Sequence, residues 1–221
     1  KLQKNYGFGI IDQILTPSPH RVSPGCPVYK QCGGCSFMHL DYREELRLKE
    51  QTVADAFTRL GGFTVYHAGD EPVSGGVCME PILGGDEEGL SDLHYRNKAQ
   101  YPLAEINGRL RAGFYAKRSH RLIPAEDCLL QDQDFGPVVK DFVRIAEQLK
   151  IPAYDEQTGK GVLRHLFLRK GRQTGELMVC IVATAERFKG QGPLVDKLVL
   201  AHPEISGIVL NINHEKTNVI L

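Results

Sequence analysis

The spacing Cys26-x5-Cys32-Gly33-Gly34-Cys35 constrains this chain more than any other stretch of it. A Cys-x2-Cys step places two thiolates a few ångströms apart on a tight loop. The two intervening glycines let the backbone curl so that its N–H groups point at sulfur. Such a loop wants a metal. A tetrahedral zinc site and a cubane iron–sulfur cluster each take four protein ligands, so a fourth must come from elsewhere. The candidates are His39, in Cys35-x3-His39, and the other three cysteines, Cys78, Cys128 and Cys180.

Local context ranks them. Cys180 lies inside the apolar run Leu177–Ala183 and reads as a small core residue. Cys78 sits in a stretch rich in acids, whose charge disfavours an already anionic cluster. His39 suits loop bracing or capping better than ligation. Cys128 directly follows a basic segment and is the better fourth ligand. Spacing alone leaves zinc and iron–sulfur on equal footing, with a redox or disulfide pair behind.

The formal net charge is zero, which taken alone argues against nucleic acid, but the charges are segregated. From Tyr66 to Leu93 there are acids (Asp70, Glu71, Glu80, Asp86, Glu87, Glu88, Asp92) and no Lys or Arg. From His94 to Leu122 Arg96, Lys98, Arg109, Arg111, Lys117, Arg118 and Arg121 stand against Glu105 alone, and residues 160–172 again carry bases without acids. Two basic stretches of this kind suit one RNA-facing surface; the bland reading is that they are solvated strand faces. No apolar run approaches the roughly 18 residues that span a bilayer.

The order of patterns predicts an α+β domain, an antiparallel-rich sheet with helices on one side. Tyr6-Gly7-Phe8-Gly9 and the apolar residues to Leu15 read as the last strand of a preceding β domain, followed by a Pro-rich linker. Asp41 caps a helix with apolar Tyr42, Leu46, Val53, Phe57 and Leu60, with Glu44 placed for a capping box, and Gly61-Gly62 ends it. The acidic, Gly-rich residues 63–93 read as an exposed excursion. Arg96–Ile106 and Leu110–Ala116 form a hairpin through Asn107-Gly108. Phe135–Leu149 is a second helix stopped by Pro152, Val162–Lys170 and Glu176–Thr184 a second hairpin, Pro193–Ala201 a third helix, and Ile208–Ile212 a strand. With 221 residues and 42% hydrophobic content, one substantial core plus an appendage is affordable. Lys1 is no initiator Met and the chain ends in strand-like Val219-Ile220-Leu221, so a fragment is expected.

The cysteine loop continues into His39-Leu40-x-Tyr42-x3-Leu46-x2-Lys49, and the whole closely resembles the cluster loop of the uridine-C5 RNA methyltransferases of the TrmA/RumA type. The resemblance runs on, in order, through Tyr95-Arg96-Asn97-Lys98, Gly113-Phe114-Tyr115, Ser119-His120-Arg121, Asp127-Cys128, Leu163-Arg164-His165-Leu166 and Thr217–Leu221. It implies a 4Fe-4S cluster on Cys26, Cys32, Cys35 and Cys128, an RNA substrate, S-adenosylmethionine as cofactor of the full-length parent and a cytoplasmic location. It also implies that residues 1–22 end an N-terminal TRAM-like domain and that residues 23–221 are the central cluster-bearing domain. The acidic stretch 63–93 departs from the family pattern. Loop residues Ser36-Phe37-Met38 suit the branch acting on large-subunit (23S) ribosomal RNA.

In that family a cysteine thiolate attacks uridine C6, C5 takes the methyl group and a base removes the C5 proton, on an extruded uridine. None of these parts is found here: no Gly-rich strand–helix turn for the cofactor, no nucleophile and no base, so no catalytic residue is assigned. Gly190-Gln191-Gly192 reads as a turn. The RNA-contacting candidates are Arg96, Lys98, Lys117, Arg118, His120, Arg121, Arg164, His165 and Arg169; Tyr101 and Tyr115 could stack on an unpaired base, but core packing is the stronger expectation for either. Arg164 and His165 are expected on opposite faces of a strand. The alternatives are a zinc-stabilised nucleic-acid-binding module on Cys26, Cys32, Cys35 and His39, and, more weakly, a ferredoxin-like carrier.

Overall fold

A computed structural model describes residues 4, 6–7, 9–85 and 92–215. The chain forms two compact units: residues 1–25 with 37–82, and residues 26–36 with 83–221. The helix that follows the cysteine loop therefore groups with the N-terminal segment, whereas the loop itself belongs to the larger unit. Thr217–Leu221 and the acids Asp86, Glu87 and Glu88 lie outside the described residues, as does Phe8.

The smaller unit is built on α1 (Tyr42–Asp55), which continues as one π-helical turn, Ala56–Leu60. Asp41 caps it, its carboxylate accepting from the Glu44 N–H at 2.9 Å. The capping box is only half made, because the Glu44 carboxylate holds Arg47 at 2.8 Å instead. Gly61 and Gly62 close the helix, Gly62 at φ +71. No residue of α1 is buried. The acidic excursion is more ordered than its composition suggests: β1 (Val65–His67) and β2 (Val77–Met79) pair in parallel within it. Residues 9–14 adopt no strand. Ile10, Ile11 and Leu15 are exposed, since a lone apolar run has no ladder to join.

The larger unit is a six-stranded sheet in the order β5-β4-β3-β6-β7-β8. Its strands are β3 (Lys98–Ile106), β4 (Arg109–Tyr115), β5 (Leu122–Pro124), β6 (Leu163–Lys170), β7 (Leu177–Ala183) and β8 (Ile205–Ile212). Asn107 and Gly108, at φ 53 and 73, make the expected two-residue turn between β3 and β4. All pairings are antiparallel except β7 with β8. That last pair is joined through α3 (Gln191–Ala201), and a helical crossover returns the chain parallel. The sheet is thus mixed.

Alternation decides which face is buried. Ala99, Tyr101 and Leu103 of β3, Leu166 and Leu168 of β6, and Leu177, Val179 and Ile181 of β7 all enter one core. Into it α2 (Phe135–Gln148) inserts Phe135, Val138, Phe142 and Ile145, and α3 inserts Leu194 and Leu198. Both helices share that core and touch each other, so they lie on the same side of the sheet. Burying a side chain such as Phe142 contributes about 2–3 kcal/mol. Lys150, at φ 54, closes α2 before Pro152. A register shift between Leu163 and His165 leaves Arg164 as an extra residue.

Candidate metal centre and its basic surroundings

The cysteine loop is tied down before any ligand is considered. Tyr29 N–H donates to the Cys26 carbonyl at 3.2 Å and Cys32 N–H to the Val28 carbonyl at 2.8 Å, which winds the x5 segment into turns. Cys32 then bridges to Ala116, and Gly33 N–H donates to the Tyr115 carbonyl at 2.9 Å, fastening the loop to the end of β4. A Cβ at Gly33 would sit 2.9 Å from that same carbonyl oxygen, so only glycine allows the approach. Gly34 N–H points back at the Cys32 sulfur, 3.3 Å away. The glycines therefore have distinct tasks, one of close approach and one of sulfur solvation.

Cys128 belongs to the same unit, between β5 and α2. Its sulfur accepts from the backbone N–H groups of Leu130 and Gln131, which ease its ionisation; burial outweighs them and pushes the thiol up, helped by Cys26 and Cys32. Burial also raises Cys35, followed by the charges of Cys128, Cys32 and Cys26, while Arg96 alone opposes. Cys35 thus feels Cys128 from some 90 residues away in sequence. All are free thiols, Cys32 buried and the other three half-buried. Among the described residues no three His, Cys, Asp or Glu side chains converge on a single-ion point. Of the other two cysteines, Cys180 is buried in β7 and Cys78 is exposed in β2 of the smaller unit; His39, half-buried, also belongs to the smaller unit, and its carbonyl accepts from Val22 N–H.

Around Cys128 lies a cleft of about 210 Å³, whose walls include His94, Tyr101, Asp127 and Gln131. His94 Nδ1 bonds the Gln131 carbonyl at 2.7 Å, and Asp127 is held by Lys140. Sequence reasoning singled out Cys128, Asp127 and Tyr101 but did not bring them to one cleft with His94 and Gln131, since no local pattern reveals what faces a residue across a fold.

The basic residues divide. Arg96, Lys98, Lys117, Arg118, His120, Arg121 and Arg169 are exposed. Lys98 and Arg169 stand directly opposite each other on β3 and β6, a like-charge pair that costs stability unless an anion is supplied. Among the described residues neither they nor Arg96, Lys117 or Arg121 pair with a carboxylate side chain. His120 is engaged otherwise: it meets Glu156 at 3.0 Å and stacks on Tyr115 with ring centroids 5.1 Å apart.

Arg164 and His165 correct the expectation of a second basic surface. They are 5% and 4% exposed. Arg164 donates to the Asn213 carbonyl, the Asn213 Oδ1 and the Glu215 carbonyl at 3.0, 2.8 and 2.7 Å, and lies over the Tyr154 ring. Burial, then the charge of Arg164, pushes His165 down to about 4, so it is neutral near pH 7. The bulge that makes room for Arg164 also removes the simple alternation on which opposite faces were expected. Tyr101 is wholly buried against Phe114 and offers no stacking platform; Tyr115 is half-buried beneath His120.

Comparison with known proteins adds a family context. No family model matches the chain. It is 38% identical over 220 residues to an uncharacterised RNA methyltransferase of Halalkalibacterium halodurans, covering all of this chain and 45% of that protein. It is 40% identical over 220 residues to another such protein of Listeria monocytogenes, with the same coverage. The chain is similar, along its whole length, to one part of these RNA methyltransferases. It spans a little under half of their length. Among solved structures, the fold resembles part of the Pyrococcus abyssi tRNA (uracil-54, C5)-methyltransferase, solved with S-adenosyl-L-homocysteine, at a TM-score of 0.60. That likeness covers 94% of this chain and 41% of the other at 20% identity, and speaks for the fold alone. Among the described residues no helix is long and apolar enough to cross a membrane.

Proposed function

We propose that these residues are the cluster-bearing, RNA-gripping portion of a uridine-C5 RNA methyltransferase, with Cys26, Cys32, Cys35 and Cys128 holding a 4Fe-4S cluster. The observation that carries the reading is that Cys128, far off in sequence, shares one unit and one electrostatic neighbourhood with the three loop thiols. A zinc site needs sulfurs about 3.8 Å apart, given its short zinc–sulfur bonds. A cubane spreads its four thiolates to roughly 6 Å. The two readings therefore differ in how widely the four sulfurs are spread, and the metal content of the chain separates them. Backbone N–H groups already directed at Cys32 and Cys128 are the donors that thiolate ligands require. Cys26, Cys32, Cys35 and Cys128 would ligate all four irons of such a cluster, which would then brace the junction of loop, β4 and Cys128 and leave no open coordination site.

RNA enters over Arg96, Lys98, Lys117, Arg118, Arg121 and Arg169, whose charges solvate phosphates, with His120 as a neighbour. Arg96 connects the two functions, because its charge also bears on Cys35. In this reading residues 1–22 end a TRAM-like domain, the full-length parent uses S-adenosylmethionine, and the substrate is large-subunit ribosomal RNA, a choice resting on Ser36-Phe37-Met38. Competition between 23S rRNA hairpins and tRNA for the chain tests that choice. Tighter tRNA binding contradicts it. Chemistry demands a thiolate, a proton acceptor and a cofactor pocket in one site. The 221-residue chain alone is expected to release no tritium from 5-tritiated uridine RNA.

A further inference from the structure

We propose that the sheet face turned away from α2 and α3 is a stacking platform for one unpaired base of the RNA, with Phe167 under the base and Lys98 and Arg169 under its phosphate. The proposal deepens the RNA-gripping reading above and rests on it; it is independent of the cluster.

In β3, β6 and β7 every second residue enters the core under the helices, as Ala99, Tyr101, Leu166, Leu168, Val179 and Ile181 do. The residues between them stand on the opposite face. Register sets these in rows, with Lys98 beside Arg169 beside Met178 in one, and Gln100 beside Phe167 beside Cys180 in the next. Phe167 is half-buried and outside the core, whereas Leu166 and Leu168 on either side of it are wholly buried within it. Met178 is exposed as well. Phe167 thus presents an aromatic ring where Tyr101, on the core side of the same sheet, presents none.

A partly exposed apolar side chain by itself asks for no ligand. Its surroundings decide. Lys98 and Arg169, one row away, are exposed, directly opposite each other, and without a carboxylate partner among the described residues. Neither row contains an Asp or Glu. An apolar protein partner seated here would bury two like charges with nothing to pair them, which is costly. A polyanion that carries flat rings satisfies both rows at once. The rows lie about 7 Å apart along the strands, a reach that one nucleotide covers between base and phosphate. Paired bases hide their faces in a stack, so a ring on a flat sheet meets only an unpaired one. Gln100, next to Phe167 in its row, offers amide groups to the edge of that base.

The test titrates a single-stranded RNA, and the same RNA annealed to its complement, into anaerobically prepared wild-type chain, Phe167→Tyr and Phe167→Leu over a range of salt. Wild type should prefer the single strand. Leucine keeps the apolar bulk and loses the ring, so Phe167→Leu should bind the single strand about tenfold more weakly, at an unchanged salt slope, whereas Phe167→Tyr should stay within about twofold of wild type. Lys98→Gln with Arg169→Gln should instead flatten the log–log slope by roughly 1.4. Relieved of a like-charge pair, that variant should unfold at no lower urea concentration than wild type. Wild-type chain irradiated with RNA containing 5-iodouridine should carry the crosslink on the peptide of Phe167, a readout for which no variant has to fold. Equal binding by Phe167→Leu, duplex held as tightly as single strand, or crosslinks that spare Phe167 each overturn the platform and leave the basic RNA surface standing. Self-association of the free chain that Met178→Lys abolishes overturns it too, by making the face an interface between copies. Wild-type chain that binds no RNA overturns the RNA-gripping reading itself, and is recognised before any substitution is made.

Discussion

Two basic segments, residues 94–122 and 160–172, look alike in sequence and part company in the fold. In the first, Arg96, Lys98, Lys117, Arg118 and Arg121 remain exposed around the loop that leads to Cys128. In the second, Arg164 is locked onto Asn213 and Glu215, His165 is buried and neutral, Lys170 is held by Asp132 and Asp134, and Arg172 bonds the His94 carbonyl. Arg169 stays exposed opposite Lys98, and Lys160 is exposed as well. The difference teaches that a run of positive residues describes a potential, and that burial decides whether the charge is spent inside the fold or offered to a ligand.

Substitutions can break this comparison, and the largest effect should come from the inside. Arg164→Ala strands the acceptors of Asn213 and Glu215 and should cost about 2–4 kcal/mol in urea unfolding. The salt slope of RNA binding should stay unchanged. If Arg164→Ala folds as stably as wild type and binds RNA more weakly, the buried arginine is an RNA contact after all. His165 gives a pH test. Its folded pKa lies below the usual imidazole value, so the unfolded chain binds the proton first. Its contribution is intact above about pH 6.5 and declines as the pH falls toward about 4, by about 3 kcal/mol. His165→Gln should flatten that acid limb of the stability curve; an unaltered limb would mean that His165 is not buried in its neutral form.

The fold was legible where a local rule governs it. Asn107-Gly108, the Asp41 cap and the apolar stripe of α2 each act within a few residues, and each stands as expected. The parallel return of β8 and the bulge at Arg164 depend on partners brought in by topology, and alternation cannot announce them. β1 and β2 were hidden for a different reason, because their few apolar residues sit in an acidic, Gly-rich context. At the candidate site, the loop Cys26-x5-Cys32-x2-Cys35 is visible in the sequence while its fourth partner is not, and neither is the unpartnered Tyr101 hydroxyl in the cleft of Cys128, since a tyrosine in a strand carries no sign of what its oxygen meets.

Smaller effects should follow outside. Arg118→Glu with Arg121→Glu should weaken single-stranded RNA binding about tenfold at low salt and flatten the log–log salt slope by roughly 1.4, two charges at about 0.7 each. Stability should move by no more than about 0.5 kcal/mol. Binding that ignores salt, or that survives the double reversal, removes the basic-surface assignment. Smallest of all, Glu156→Gln loosens only the exposed contact to His120, and its stability change should be about 0–0.5 kcal/mol.

Iron and sulfide analysis of anaerobically prepared chain, wild type against Cys128→Ala, tests the central claim most directly. Four irons and about four sulfides per wild-type chain are expected, as a cubane on Cys26, Cys32, Cys35 and Cys128 requires. Cys128→Ala should lose the cluster, whereas Cys78→Ala and Cys180→Ala should keep it. Zinc in place of iron, retained by Cys128→Ala and lost by His39→Ala, would contradict the account and return the loop to a local zinc site.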